Sequence, residues 1–275
     1  MIIDLRKGLG DFEDYKAWKF PGGELDFTNK ITEEEIAAEI GLKININSSD
    51  DLMLLCLAVD NLRKMYGKQI DLMVFMPYMP YQQADRDFGM HDSFALKTAC
   101  KILNTLDVDS YLIFDAHSDV APALLDNCIN KDNSEFIENA LSKIISEDVA
   151  IMSPDAGAAK KIFKLADKLG FDGEVLSASK SRDHNTGEIN TILPDVSSII
   201  NSDILIIDDI CLGGRTFIQL AEKLRAAGCT GKFYVAVSHG IFSNGIESLL
   251  GHFEGVFTTD SKCTIVHEKL NVFKL

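Results

Sequence analysis

Residues 203–217 read Asp-Ile-Leu-Ile-Ile-Asp-Asp-Ile-Cys-Leu-Gly-Gly-Arg-Thr-Phe, so two adjacent carboxylates lie between an apolar run and a Gly-Gly turn. A short all-apolar run bounded by polar residues suits a strand buried on both faces of a parallel sheet, and ligands of open α/β sheets bind just past such strand ends. Gly213 and Gly214 allow the backbone to turn with its N–H groups inward, Thr216 adds a hydroxyl, and a helix over 217–227 points its positive end at the same place. That is an anion site. Asp208 and Asp209 would repel a phosphate, so beside one they make sense as holders of sugar hydroxyls or of Mg²⁺. The same residues would also serve as a strand-end acid pair followed by an ordinary turn.

Other stretches carry side chains of the right type for the same chemistry. His117, in Asp-Ala-His-Ser-Asp at 115–119, follows a second apolar run, and Asp155 follows a third in Ser-Pro-Asp-Ala-Gly at 153–157. A lone His after a strand is often just a hydrogen-bonded core residue, and an Asp before a helix is often its N-cap. Lys180 and Arg182 alternate, so on an extended strand both face one side and could close over a reacting phosphate. Phe20 and Glu24 bracket Pro-Gly-Gly, where a ring could stack on a purine and a carboxylate could accept from an exocyclic amine. In Pro-Tyr-Met-Pro-Tyr-Gln-Gln-Ala-Asp-Arg at 77–86, two prolines fix the path of a polar loop.

The elements that must position these residues alternate. Strand-like runs at 72–76, 110–114, 149–152, 204–207 and 233–238 are interleaved with helical patterns at 51–66, 93–104, 157–169 and 217–227. Strands separated by helices imply right-handed βαβ units and parallel sheets. The strand-then-acid device occurs in both halves, and the polar stretch 130–134, followed by a helix to about 146, is the linker candidate. Two similar α/β domains, 1–133 and 134–275, are expected.

Composition sets the outer limits. The 275 residues are 46% hydrophobic and 25% charged, as in a globular protein, and the net charge is −15. That charge disfavours non-specific nucleic-acid binding, which depends on Lys and Arg neutralising phosphates. An anionic substrate must be met locally. Six scattered cysteines show no metal-binding spacing, and no apolar run is long enough to span a bilayer, so no nucleic-acid or membrane partner and a cytoplasmic location are expected.

Taken together, the motifs resemble the ribose-phosphate pyrophosphokinases, or phosphoribosyl pyrophosphate (PRPP) synthetases, from Phe20 to Ser261. Residues 208–216 are similar to the PRPP-binding loop, with Leu212 in place of an acid and Arg215 in place of a Gly. Residues 77–86 resemble the signature Pro-Tyr-x-x-Tyr-Ala-Arg-Gln-Asp-Arg, with Gln83-Ala84 in place of the nucleotide-contacting Arg-Gln. Residues 20–24 resemble Phe-Ser-Asp-Gly-Glu, with Gly22 in place of Asp. Residues 115–118, 153–160, 180–182 and 238–243 resemble Asp-Leu-His-Ala, Ser-Pro-Asp-Ala-Gly-Gly-Ala-Lys, the Lys-x-Arg of a catalytic loop and Thr-His-Gly-Leu-Phe-Ser.

The resemblance implies two tandem phosphoribosyltransferase-like, Rossmann-like domains, with the nucleotide on the first and ribose phosphate on the second. It implies Mg²⁺-dependent transfer of the pyrophosphoryl group of ATP to C1 of ribose 5-phosphate. The nucleotide would be held by Phe20, Gly22, Gly23, Glu24, Gln83, Ala84 and Arg86, and ribose 5-phosphate by Asp208, Asp209, Leu212, Gly213, Gly214, Arg215 and Thr216. His117 and Asp155 would help place the metal, Lys180 and Arg182 would stabilise charge in transfer, and the chain would form a homo-oligomer, a dimer or a hexamer. Two other readings share part of the pattern: a catalytically impaired paralogue with a regulatory or binding role, and a PRPP-using phosphoribosyltransferase.

Overall fold

The computed structural model describes residues 1–32, 38–182 and 189–275, the side chains of 181, 182, 189 and 190 excepted. The chain divides into two units, Met1–Asp132 and Asn133–Leu275.

The first unit contains β1 (Ile2–Asp4), β2 (Gly10–Asp11), β3 (Tyr15–Lys19), β4 (Leu25–Asn29), β5 (Glu39–Lys43), α1 (Ser49–Tyr66), β6 (Asp71–Met76), α2 (Ala95–Leu103), β7 (Ser110–Phe114), α3 (Val120–Leu124) and β8 (Cys128–Lys131). Its main sheet is parallel throughout, in the order β1-β5-β6-β7-β8. The start of α1 is set by a capping box. Ser48 accepts the Asp51 N–H while Asp51 accepts the Ser48 N–H, and Leu54, Leu55, Ala58, Val59 and Leu62 then recur on the buried face. Burying each such leucine contributes about 1.5–3 kcal/mol.

Two features differ from the expectations. The stretch around 130 is not a linker at its start, because residues 128–131 form the edge strand β8. An edge strand with exposed side chains has the polar composition of a loop, which is why the pattern misleads. The parallel sheets are also accompanied by a small antiparallel sheet, β2-β3-β4, whose β3-β4 hairpin carries the Phe20–Glu24 turn.

The second unit contains α4 (Ser134–Leu141), β9 (Val149–Ser153), α5 (Ala156–Leu169), β10 (Val175–Ser177), β11 (Ser179–Arg182), β12 (Ile189–Ile192), β13 (Asp203–Cys211), α6 (Arg215–Ala226), β14 (Phe233–Gly240), α7 (Glu247–Leu250), β15 (Gly255–Thr259) and β16 (Leu270–Phe273). The helix expected to run to about 146 ends at Leu141. The six-stranded sheet is parallel, in the order β10-β9-β13-β14-β15-β16. Chain order reverses between β9 and β13, since β10 lies on one side of β9 and the later strands of this sheet, β13 to β16, lie on the other. Such a switch point opens a crevice at the carboxyl ends of the two strands. In β13, Ile204 and Ile206 join the apolar cluster around α6, while Leu205 and Ile207 are buried on the opposite face. A strand covered on both sides must be apolar at every position, which is the run seen in the sequence.

Candidate functional site

At the switch point β13 outruns its neighbour. It pairs with β9 only as far as Ile206↔Met152, but with β14 as far as Cys211↔Gly240. Asp208 and Asp209 therefore sit inside the strand rather than in a loop after it, and this rigid ladder presents them. Asp209 is buried, Asp208 is partly exposed, and the Asp209 N–H donates to Asp208 Oδ1 at 2.9 Å. Burial, with the charge of Asp209 next and that of Asp155 behind it, pushes the Asp208 carboxyl up to about 8. A desolvated acid pair of this kind is a site for hydroxyl donors or cations.

The turn that follows opens a helix end. Gly214 is the N-cap of α6 with φ of +81°, and no side chain caps the helix. Arg215 and Thr216 thus form the first helical turn, two residues earlier than expected. A Cβ on Gly213 would meet Asn244 Nδ2 at 2.6 Å and displace that side chain, and at Gly214 a Cβ would meet Leu249 at 3.1 Å. The turn is braced from behind by residues 241–245. Cys211 O accepts the Ile241 and Phe242 N–H groups at 2.9 and 3.2 Å, Leu212 O accepts the Ser243 N–H at 2.9 Å, and Asn244 Nδ2 reaches Gly213 O at 3.5 Å. Sequence reasoning gave 238–245 no site role and missed that Ser243 and Asn244 adjoin the turn. The Cys211 thiol, pushed to about 12 mainly by burial, is an inert neighbour.

The other helix at the crevice is closed. Asp155 caps α5, its Oδ1 accepting the Gly157 and Ala158 N–H groups at 2.9 and 3.2 Å. Its Oδ2 accepts from Lys180 Nζ at 2.7 Å. Burial raises its pKa, but Lys180 and the two N–H donors outweigh that and leave it below the ordinary carboxylate value. The cap reading of Asp155 thus holds, and the N–H groups of 157 and 158 are already spoken for. Lys180 and Arg182 lie on β11, the extended strand on which their alternation was read, and it pairs antiparallel with β12 as a ribbon. Residues 183–188 and the Arg182 side chain lie outside the described part of the structure.

In the first unit, Phe20 is 46% exposed and Gly22, Gly23 and Glu24 are exposed at the hairpin tip, where Phe20 N–H donates to Glu24 O at 2.8 Å. After β6, residues 76–80 are buried, then Tyr81 turns with φ of +60°. Gln83 and Arg86 are exposed and Ala84 is partly buried. After β7, Asp115 is buried with φ of +42° and His117 is exposed. Strand ends with left-handed non-glycine residues are where backbone strain accompanies function. Gln82, which the sequence reading passed over, is buried between these two turns and bonds the His117 N–H.

No group of three or more His, Cys, Asp or Glu side chains converges among the described residues. A bound Mg²⁺ would therefore rely on water and substrate phosphates with one or two carboxylates, the way this ion is commonly held.

The Phosphoribosyl transferase domain family matches residues 127–245. The ribose-phosphate pyrophosphokinase of Mycoplasmopsis pulmonis is 25% identical over 83% of this chain and 70% of its own length. Over most of its length the chain is thus similar to ribose-phosphate pyrophosphokinases. The ribose-phosphate pyrophosphokinase of Prochlorococcus marinus is 27% identical over 78% of this chain and 64% of its own length, and a chloroplastic one from Oryza sativa is 26% identical over 78% and 53%. The chain thus spans roughly half to two thirds of those last two relatives. The crystal structure of phosphoribosylpyrophosphate synthetase from Mycobacterium smegmatis superposes with a TM-score of 0.77 over 94% of this chain and 85% of that one, at 18% identity, which establishes the α/β fold. No described helix is long and apolar enough to cross a membrane.

Proposed function

We propose that this chain is a ribose-phosphate pyrophosphokinase: it transfers the β,γ-pyrophosphoryl group of ATP to the C1 hydroxyl of ribose 5-phosphate, giving PRPP and AMP. The observation that carries the reading is the contrast at the switch point. One helix, α5, is capped by its own aspartate, while α6 has no side-chain cap and opens behind Gly213 and Gly214. An open helix end takes a phosphate.

The 5-phosphate lies on residues 212–216, with the Arg215 guanidinium adding charge, and Asp208 and Asp209 accept the ribose hydroxyls. The first unit is the nucleotide side. Phe20 stacks on the base, Glu24 accepts from its amine, residues 83–86 line the nucleotide, and the exposed His117 meets its phosphates. Mg²⁺ would supply charge neutralisation on substrate phosphates, and Asp155 would be a protein carboxylate that holds it. Lys180 donates to that carboxylate at 2.7 Å, which holds its ammonium beside the proposed site. Phosphoryl chemistry of this kind depends on in-line placement and charge stabilisation, which Lys180 and Arg182 provide. The six free thiols fit work in a reducing cytoplasm, and a homo-oligomer completes the proposal.

Purified protein with Mg-ATP and ribose 5-phosphate, followed by phosphorus NMR, tests this. AMP with a new C1 diphosphate supports it. ADP alone, or no product at high enzyme concentration, overturns it.

A further inference from the structure

Gln82 is 1% exposed, yet only one end of its amide is used. Its Oε1 accepts the backbone N–H of His117 at 3.0 Å, while Nε2 has no hydrogen-bond partner among the described residues. An N–H must be met by the amide oxygen, so the unpaired end is the NH₂. Leaving a buried donor unpaired costs desolvation energy, and packing alone would favour an apolar residue here. The acceptor is what this position supplies.

The bond belongs to a set. The N–H groups of residues 115, 116 and 117 donate in turn to Lys131 O at 2.8 Å, Asn130 Oδ1 at 3.1 Å and Gln82 Oε1 at 3.0 Å. Asn130 and Lys131 belong to β8 and Gln82 follows β6, so the turn after β7 is held from both flanking strands. Both partners of the Gln82 bond leave strained backbone, Tyr81 at φ +60° and Asp115 at φ +42°. The N–H groups of this turn therefore point into the protein, and a ligand at the strand ends meets side chains.

We infer that Gln82 is a positioning residue, which fixes the His117 turn at the carboxyl end of the first sheet so that the imidazole meets the nucleotide phosphates. This rests on the reading of the first unit as the nucleotide side. The residue stands where the signature quoted above has Ala, so the device is this chain's own.

Four proteins test it: Q82A, Q82E, which keeps an acceptor oxygen, H117A, and the double variant Q82A/H117A. In the ligand-free protein, hydrogen exchange at the His117 amide speeds up about tenfold in Q82A, the worth of one ordinary hydrogen bond, and stays near wild type in Q82E. In turnover, kcat/KM for Mg-ATP falls about tenfold in Q82A, KM for ribose 5-phosphate does not move, and the double variant is no worse than H117A alone. Unchanged exchange in Q82A, an equal loss for ribose 5-phosphate, a multiplicative double variant, or Q82E behaving as Q82A overturns the inference. If the wild type releases no AMP, the proposed activity fails by itself. The exchange measurement and calorimetric binding of Mg-ATP then still decide the role of Gln82, which falls if Q82A leaves either unchanged.

Discussion

Asp208→Asn separates the cost of the buried acid pair from its use. In the folded chain, burial and the neighbouring Asp209 charge push the Asp208 carboxyl to about 8, against 3.8 for an ordinary one. Below about pH 4 the group is protonated whether folded or unfolded, and it adds no pH dependence. Between 4 and 8 only the unfolded chain gives up the proton, so stability falls as pH rises, and above 8 the whole cost is present. About four pK units at about 1.4 kcal/mol each set a ceiling near 6 kcal/mol. Water entry and side-chain movement cut this to about 2–3 kcal/mol, because charges at such sites behave as if in a dielectric of about 20. Asn keeps the oxygen that accepts the Asp209 N–H and cannot ionise. Urea unfolding of the ligand-free protein, in chelator, should show Asp208→Asn more stable than wild type by about 2–3 kcal/mol at pH 8.5 and by under about 1 kcal/mol at pH 5. The same variant should bind ribose 5-phosphate more weakly, a trade of stability against function. An equal gain at both pH values, or none, refutes the argument from desolvation and repulsion.

Three further changes read other parts of the site. Lys180→Ala should lower kcat by about 10²–10³, the scale of one preorganised charge, while its partly exposed pair with Asp155 contributes under about 1 kcal/mol, so the melting temperature barely moves. Gly214→Ala forces a side chain to φ +81° and against Leu249 at 3.1 Å. It should cost about 1–2 kcal/mol in urea unfolding and raise KM for ribose 5-phosphate but not for Mg-ATP. Phe20→Ala, at the exposed hairpin tip, should raise KM for Mg-ATP up to about tenfold with no change in melting temperature, since a stacked ring contributes about 0.5–1.5 kcal/mol.

What the sequence determined by itself was whatever neighbours along the chain decide. The strand at Ser110–Phe114, the buried apolar run of β13, the helix of α1 with its Ser48 and Asp51 ends, and the Gly213–Gly214 turn all follow from spacing and residue type within a dozen positions. The fold class followed too, because apolar strands alternating with amphipathic helices leave few arrangements. Tertiary structure decided the rest. Whether β13 stops at Ile207 or carries Asp208 and Asp209 into the ladder depends on β14, some 30 residues on. Asp155 could be named as a cap or as a site residue, but only folding brings Lys180 to its second oxygen. Gln82 looked like a polar loop residue, and its burial and its bond to His117, 35 positions away, exist only once β6 and β7 lie side by side. Local pattern encodes which conformation a segment prefers. Which polar group meets which is fixed by contacts between distant segments, and those contacts make the site.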